Sequence, residues 1–242
     1  YNTAVGFNSG VSVTTGVQNT LIGGLAGDAL TDGSDNVALG INALSSDIRG
    51  SKATAIGSGA LATQGFASAT DTYNTAVGYN AGVAVTTGTQ NTLIGGLAGD
   101  AITTGHSNAA TGYNALGATT TGAALSALGK DALAANTTGS SNTGVGKAAL
   151  FSNTEGGTNT AVGKDALYAN TLKSDYNGSM AGMDDLFKEE LKIENVDTIE
   201  DIIMSIEWLD FFNGLIKGTS VPKICTKYCG DDRDTREEIV YD

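Results

Sequence analysis

Apolar residues in the first 171 positions come in short runs, each closed by a glycine and followed by about a dozen softer residues rich in Thr, Ser, Ala and Gly. The closing glycines are Gly6, Gly23, Gly40, Gly57, Gly78, Gly95, Gly112, Gly129, Gly146 and Gly163. Successive glycines are 17 residues apart, except Gly57 and Gly78, which are 21 apart. A short fixed period is the mark of one structural unit stacked on itself. Seventeen residues is too short for a helical-hairpin repeat and suits one coil of a β-solenoid. The pattern predicts ten coils, each with two brief strands joined by two turns. Coils spaced about 4.8 Å apart would make a rod on the order of 48 Å long.

Three rows define the expected interior. The residue before each glycine is Val5, Ile22, Leu39, Ile56, Val77, Ile94, Thr111, Leu128, Val145 or Val162, and this mostly branched row is expected to point into the core. Three residues after the glycine stands Ser9 and then always alanine, from Ala26 to Ala166, which marks close approach of backbones. Four residues after it stands either Gly (Gly10, Gly27, Gly82, Gly99) or Leu (Leu44, Leu61, Leu116, Leu133, Leu150, Leu167). Where it is Gly, the residue three further on is apolar: Val13, Leu30, Val85 or Ile102. Where it is Leu, that residue is polar: Asp47, Gln64, Thr119, Asn136, Asn153 or Asn170. Close packing penalises voids and extra side chains alike, so the exchange reads as one core slot filled from either of two positions. On that reading Asn136→Val should partly rescue Leu133→Ala.

Asn opens eight of the units: Asn2, Asn19, Asn36, Asn74, Asn91, Asn108, Asn142 and Asn159. Thr-Gly pairs recur near unit ends, as at Thr15-Gly16 and Thr87-Gly88. Both are turn chemistry. An Asn ladder can also be a ligand row, and the Thr rows resemble the hydroxyl arrays of ice-binding solenoids, although no alternating Thr-x-Thr pattern runs through them. Residues 1–33 and 73–105 match at 27 of 33 positions. The four extra residues lie between Ala62 and Tyr73 and predict a bulged loop. Lys130, Lys147 and Lys164 form a row that is either a solvated face or a contact site.

Composition separates the last 71 residues from the repeats. The repeat tract holds 29 of the 34 glycines and carries nine acidic and five basic residues, net −4. The remainder carries 17 acidic and eight basic, net −9, so the chain totals −13. Such a balance argues against charge-driven binding to nucleic acid or an anionic membrane surface. No run of 18 apolar residues is present to cross a membrane as a helix. The chain begins at Tyr1, inside a unit and without Met, which reads as a fragment or processed product.

Residues 172–182 read as a linker, and 183–242 as a small helical cap or knob with an acidic tail. Met183 to Ile193 forms a short amphipathic pattern with Leu186, Phe187 and Leu191 on one face. Asp197 and Glu200 open a second pattern, with Ile199, Ile202, Ile203, Ile206 and Leu209 at spacings of three and four. Trp208, Phe211 and Phe212 are either core of the knob or a receptor-binding cluster. Cys225 and Cys229 are a disulfide, half a metal site or two free thiols. Asp231, Asp232 and Asp234 lack the full pattern of a calcium loop. His106, the only histidine, stands in no recognisable catalytic motif, and neither enzymatic activity nor a cofactor is expected.

The units Asn-Thr-Ala-Val-Gly at 2–6, 74–78 and 159–163, with Ala three residues beyond the later two, resemble the head repeats of trimeric autotransporter adhesins (YadA-like heads) and segments of phage tail fibres. The resemblance covers about 70% of the chain. It implies a left-handed parallel β-roll with three chains side by side. A 17-residue coil encloses a thin core and is expected to leave apolar residues for sister chains to cover. No heptad stalk or membrane barrel pattern follows the repeats, which favours an unanchored appendage. The expectation is a homotrimeric, structural and adhesive shaft of a phage tail fibre on the virion surface, contacting other appendage proteins and a receptor or glycan. The alternative is a bacterial surface adhesin head at the cell surface.

Overall fold

The computed structural model describes residues 1–171 and 178–180. The chain divides into two units, Tyr1–Ala181 and Gly182–Asp242. The second unit, with both expected helices and Trp208, Phe211, Phe212, Cys225 and Cys229, lies outside the described residues.

The first unit is a parallel β-solenoid of about nine turns, with no helix among the described residues. Its main sheet begins with β1 (Thr3–Val5), β2 (Thr20–Ile22) and β3 (Val37–Leu39). Between β3 and the next main strand comes β4 (Gly50–Ser51). The main sheet resumes at β5 (Thr54–Ile56), and β6 (Thr70–Asp71) pairs with β4 as a separate two-stranded sheet. It then runs through β7 (Thr75–Val77), β8 (Thr92–Ile94), β9 (Ala109–Thr111) and β10 (Ser126–Leu128). It ends with β11 (Thr143–Val145), β12 (Thr160–Val162) and β13 (Gly178–Met180). Register follows the repeat: Thr3 lies against Thr20, and Thr54 against Thr75 across the 21-residue unit. β13 falls inside the stretch read as a linker and pairs Gly178 with Thr160.

Two expectations are corrected. The first concerns direction. Successive side chains of a strand point to opposite faces, so a three-residue strand sends one side chain in and two out. The one sent in is the middle residue: Leu21, Ala38, Ala55, Ala76, Leu93, Ala110 and Ala161 are fully buried. The row before the closing glycine therefore faces outward, with Val5, Leu39, Ile94, Leu128 and Val162 all exposed.

The second concerns the rest of each coil, where turns stand in place of the expected second strand except at β4 and β6. Positive φ recurs four times per coil, for example at Gln90 (φ 60°), Gly95 (134°), Leu97 (58°) and Gly99 (58°). Left-handed residues cannot ladder as a strand, yet their amides still find the adjacent coil. Leu97 N–H donates to Tyr79 O at 2.9 Å and Gly99 N–H to Ala115 O at 2.8 Å. Such bonds hold even Leu116 and Leu133 at φ 58° and 54°, a conformation that costs an L-residue roughly 1–2 kcal/mol. The closing glycines are a stricter case. A Cβ on Gly95 would stand 2.4 Å from Gly112 O in the next coil, and the same clash recurs along the row.

The Gly/Leu exchange has a structural basis. A Cβ on Gly99 would meet Ile102 Cδ1 at 2.7 Å, and one on Gly82 would meet Val85 Cγ2 at 3.3 Å. Leu44, Leu61, Leu116, Leu133 and Leu150 take that space in the other coils. The polar residues three positions after these leucines do not turn to solvent, however. Asp47, Gln64, Thr119, Asn136 and Asn153 are fully buried, so the position is interior in both kinds of coil.

Candidate functional site

The outward face of the main sheet runs the length of the solenoid. Strand alternation puts two rows on it. One begins Thr3, Thr20, Val37, Thr54, Thr75 and Thr92; the other is the aliphatic row from Val5 to Val162. Val5 and Leu128 are 58% and 53% exposed, and Ile94 is 40% exposed. In-register pairing stacks these side chains from coil to coil, giving an apolar stripe broken once, at Thr111, beside a row made mostly of hydroxyl residues.

A second row turns the corner beyond each closing glycine. It reads Phe7, Gly24, Ile41, Ser58, Tyr79, Gly96 and Tyr113, then Lys130, Lys147 and Lys164. Phe7, Ile41, Tyr79 and Tyr113 are all exposed. Lys130 pairs with Asp131 and sits 5.8 Å from the Tyr113 ring centroid. The carboxylate hydrogen bond raises the Lys130 amine above its ordinary value. Partial burial pushes the Asp131 carboxyl up, but hydrogen bonds from Lys130 and Asn114, with the charge of Lys147 behind them, hold it below its usual range. Lys164 pairs with Asp165 at 3.2 Å. Across the bulged unit Lys52 donates to Asp71, and the Tyr73 hydroxyl donates to the same carboxylate at 3.3 Å.

The Asn ladder is internal. Asn91 donates from Nδ2 to Gly105 O at 2.9 Å and accepts at Oδ1 from Asn108 N–H at 3.1 Å. Asn19, Asn36, Asn74, Asn108 and Asn142 are likewise buried and donate to glycine carbonyls. Every turn glycine so engaged has its carbonyl satisfied from inside the coil, which leaves no side-chain edge for a ligand. The Thr row is also occupied: Thr86, Thr103, Thr120 and Thr137 donate their hydroxyls to the carbonyl of the next coil at 3.0–3.2 Å.

The structure thus brings Lys130, Lys147 and Lys164 onto one edge, as the spacing anticipated. It adds Tyr79 and Tyr113 to that edge, which the sequence reading did not single out. Their signal was legible one position after the closing glycine, as an alternation of large and small residues. His106 is exposed, with Nδ1 3.3 Å from Ser107 Oγ. Among the described residues no group of three His, Cys, Asp or Glu could hold a metal ion. No helix among them is long and apolar enough to cross a membrane. No family model, curated protein or solved structure matches the chain.

Proposed function

We propose that this chain is a structural and adhesive fibre protein whose solenoids associate as a homotrimer through the outward sheet face. The observation that carries the reading is the aliphatic row from Val5 to Val162, set outside the coil along the sheet. A surface made of Thr and branched aliphatic rows fits a second flat surface of the same kind, and homo-oligomers close by rotation about a symmetry axis. Three copies are favoured by the resemblance of the Asn-Thr-Ala-Val-Gly units to adhesin heads and tail fibres. The same resemblance supports the role of a tail-fibre shaft on the virion surface, with other appendage proteins as neighbours. Multi-angle light scattering on the full chain tests the assembly, with a mass of three chains expected. A folded monomer at micromolar concentration overturns it. Electron microscopy of virions labelled with antibodies to residues 1–171 tests the location, and absence of label on the appendages counts against it.

A further inference from the structure

The corner row carries a pattern that the trimer interface does not use. Its large residues, Phe7, Ile41, Tyr79 and Tyr113, stand on every second coil, with Gly24, Ser58 and Gly96 between them. Two coils span about 9.6 Å. The intervening small residues leave space between the large ones. A Cβ on Gly24 would meet nothing within 4 Å, and one on Gly96 would meet only the Tyr113 ring, at 3.7 Å. The row then changes chemistry in place, from aromatic to cationic, at Lys130, Lys147 and Lys164.

From this juxtaposition we infer that the edge is a binding site for a linear, acidic, β-1,4-linked polysaccharide lying along the solenoid axis. The inference adds a ligand class to the adhesive reading above and rests on it for its setting. An extended β-1,4-linked chain turns the same ring face outward once every two sugars, over nearly the length of two coils. Each such face carries axial C–H groups, which pack on an aromatic ring as an apolar body with polar edges left in water. The Tyr79 and Tyr113 rings, two coils apart, therefore meet alternate sugars, and Ile41 and Phe7 continue the same spacing with an aliphatic and a further aromatic contact. Carboxylates farther along the polymer reach the lysine row, whose residues recur at the coil spacing of about 4.8 Å; Lys130 and Lys164 already pair with Asp131 and Asp165, so Lys147 is the principal cation for the polymer. The chain as a whole carries −13, so a polyanion gains nothing from the long-range field. Retention of an acidic glycan must then come from this local match.

Affinity electrophoresis of the full chain in native gels cast with polymannuronate tests the site. Hydroxyethyl cellulose serves as a neutral β-1,4 polymer and dextran sulfate as an α-linked polyanion. Polymannuronate should retard the protein, hydroxyethyl cellulose less so, and dextran sulfate least. Tyr79→Ala with Tyr113→Ala should weaken polymannuronate binding at least about tenfold, with unchanged circular dichroism because both side chains are exposed. Lys147→Ala should weaken polymannuronate binding and leave that of hydroxyethyl cellulose unaltered. No retardation by polymannuronate, undiminished retardation of the tyrosine double variant, or equal retardation by dextran sulfate overturns the inference. Light scattering on the same samples separates this from the fibre reading: a monomer that binds polymannuronate refutes the trimer alone, and a trimer that does not refutes the glycan site alone.

Discussion

Gln64 donates from Nε2 to Asp47 Oδ2 at 2.6 Å, one coil apart and fully buried. Asp47 also accepts from the amides of Gly50 and Phe66, and Gln64 Oε1 accepts from Asn74 Nδ2 at 2.8 Å. The chain of bonds spans the 21-residue unit, where the repeat loses its regular spacing. It stands in for the Asn ladder there, because Ala53 occupies the position an asparagine holds in most other coils. Gln64→Ala removes the donor and leaves a buried carboxylate oxygen unpaired. The expected loss is about 1–3 kcal/mol. Denaturant titration measures it; a change smaller than about 0.5 kcal/mol would mean that the carboxylate finds another donor.

The period of 17 was fully legible, because a repeated unit writes its hydrophobic choices ten times over. The direction of the row from Val5 to Val162 was not. An isolated Ala-Val-Gly has one small and one branched residue, and volume alone favours burying the larger. The coil is too thin for that choice: its interior accommodates Ala38 and Ala55 opposite Leu44 and Leu61, and the branched row has to leave. Burial of Asp47, Gln64 and Asn136 was hidden for a related reason. Polarity normally signals exposure, and only the stacking of identical positions supplies each such group with a partner from the next coil.

Gly95→Ala and Gly24→Ala should behave oppositely. At Gly95 the added Cβ lies 2.4 Å from a backbone oxygen and φ is 134°. Backbone cannot swing aside as a side chain can, so the two coils must separate locally. A loss above about 3 kcal/mol, or failure to fold, is expected. At Gly24 the added methyl meets open space, and the change should stay within about 0.5 kcal/mol. Melting temperatures of the two variants compare them directly, and equal losses would contradict the stacking geometry.

Leu133→Ala should cost about 2–5 kcal/mol, as for other fully buried leucines. The sequence reading expects Asn136→Val to restore part of this. The structure reverses that expectation. Asn136 donates to Gly139 O at 3.0 Å and accepts at Oδ1 from Asn142 and Asn153. Valine leaves all three partners short of a bond, so the double variant should be less stable than Leu133→Ala alone. A denaturation midpoint above that of the single variant would restore the simple exchange.

Asp100 gives the solenoid a pH dependence of known sign. Burial raises its carboxyl above the ordinary carboxylate value, and its Oδ1 is buried without a hydrogen-bond partner. A group whose folded pKa is raised favours folding below its unfolded pKa, and this contribution is lost as pH rises through the folded value. At neutral pH the charged form is therefore a local cost. Asp100→Asn should raise the melting temperature at pH 7, and its advantage should shrink as pH falls through the raised folded value and be gone below the usual carboxylate range. An advantage that is constant with pH would assign the effect to packing.

Ile94→Glu and Leu128→Glu place charges on the outward row without touching the core inside the coil. Both side chains are exposed in the single solenoid, so a monomer would tolerate them within about 0.5 kcal/mol. In an assembly that buries this face each copy brings its own glutamate, and desolvated like charges oppose one another at every symmetry-related position. The proposed trimer should therefore dissociate while circular dichroism keeps its β signature. Sedimentation velocity reads the mass, and Tyr79→Glu on the neighbouring edge is the control that should leave it unchanged. A trimer that survives both outward substitutions would place its contacts elsewhere than on the row from Val5 to Val162.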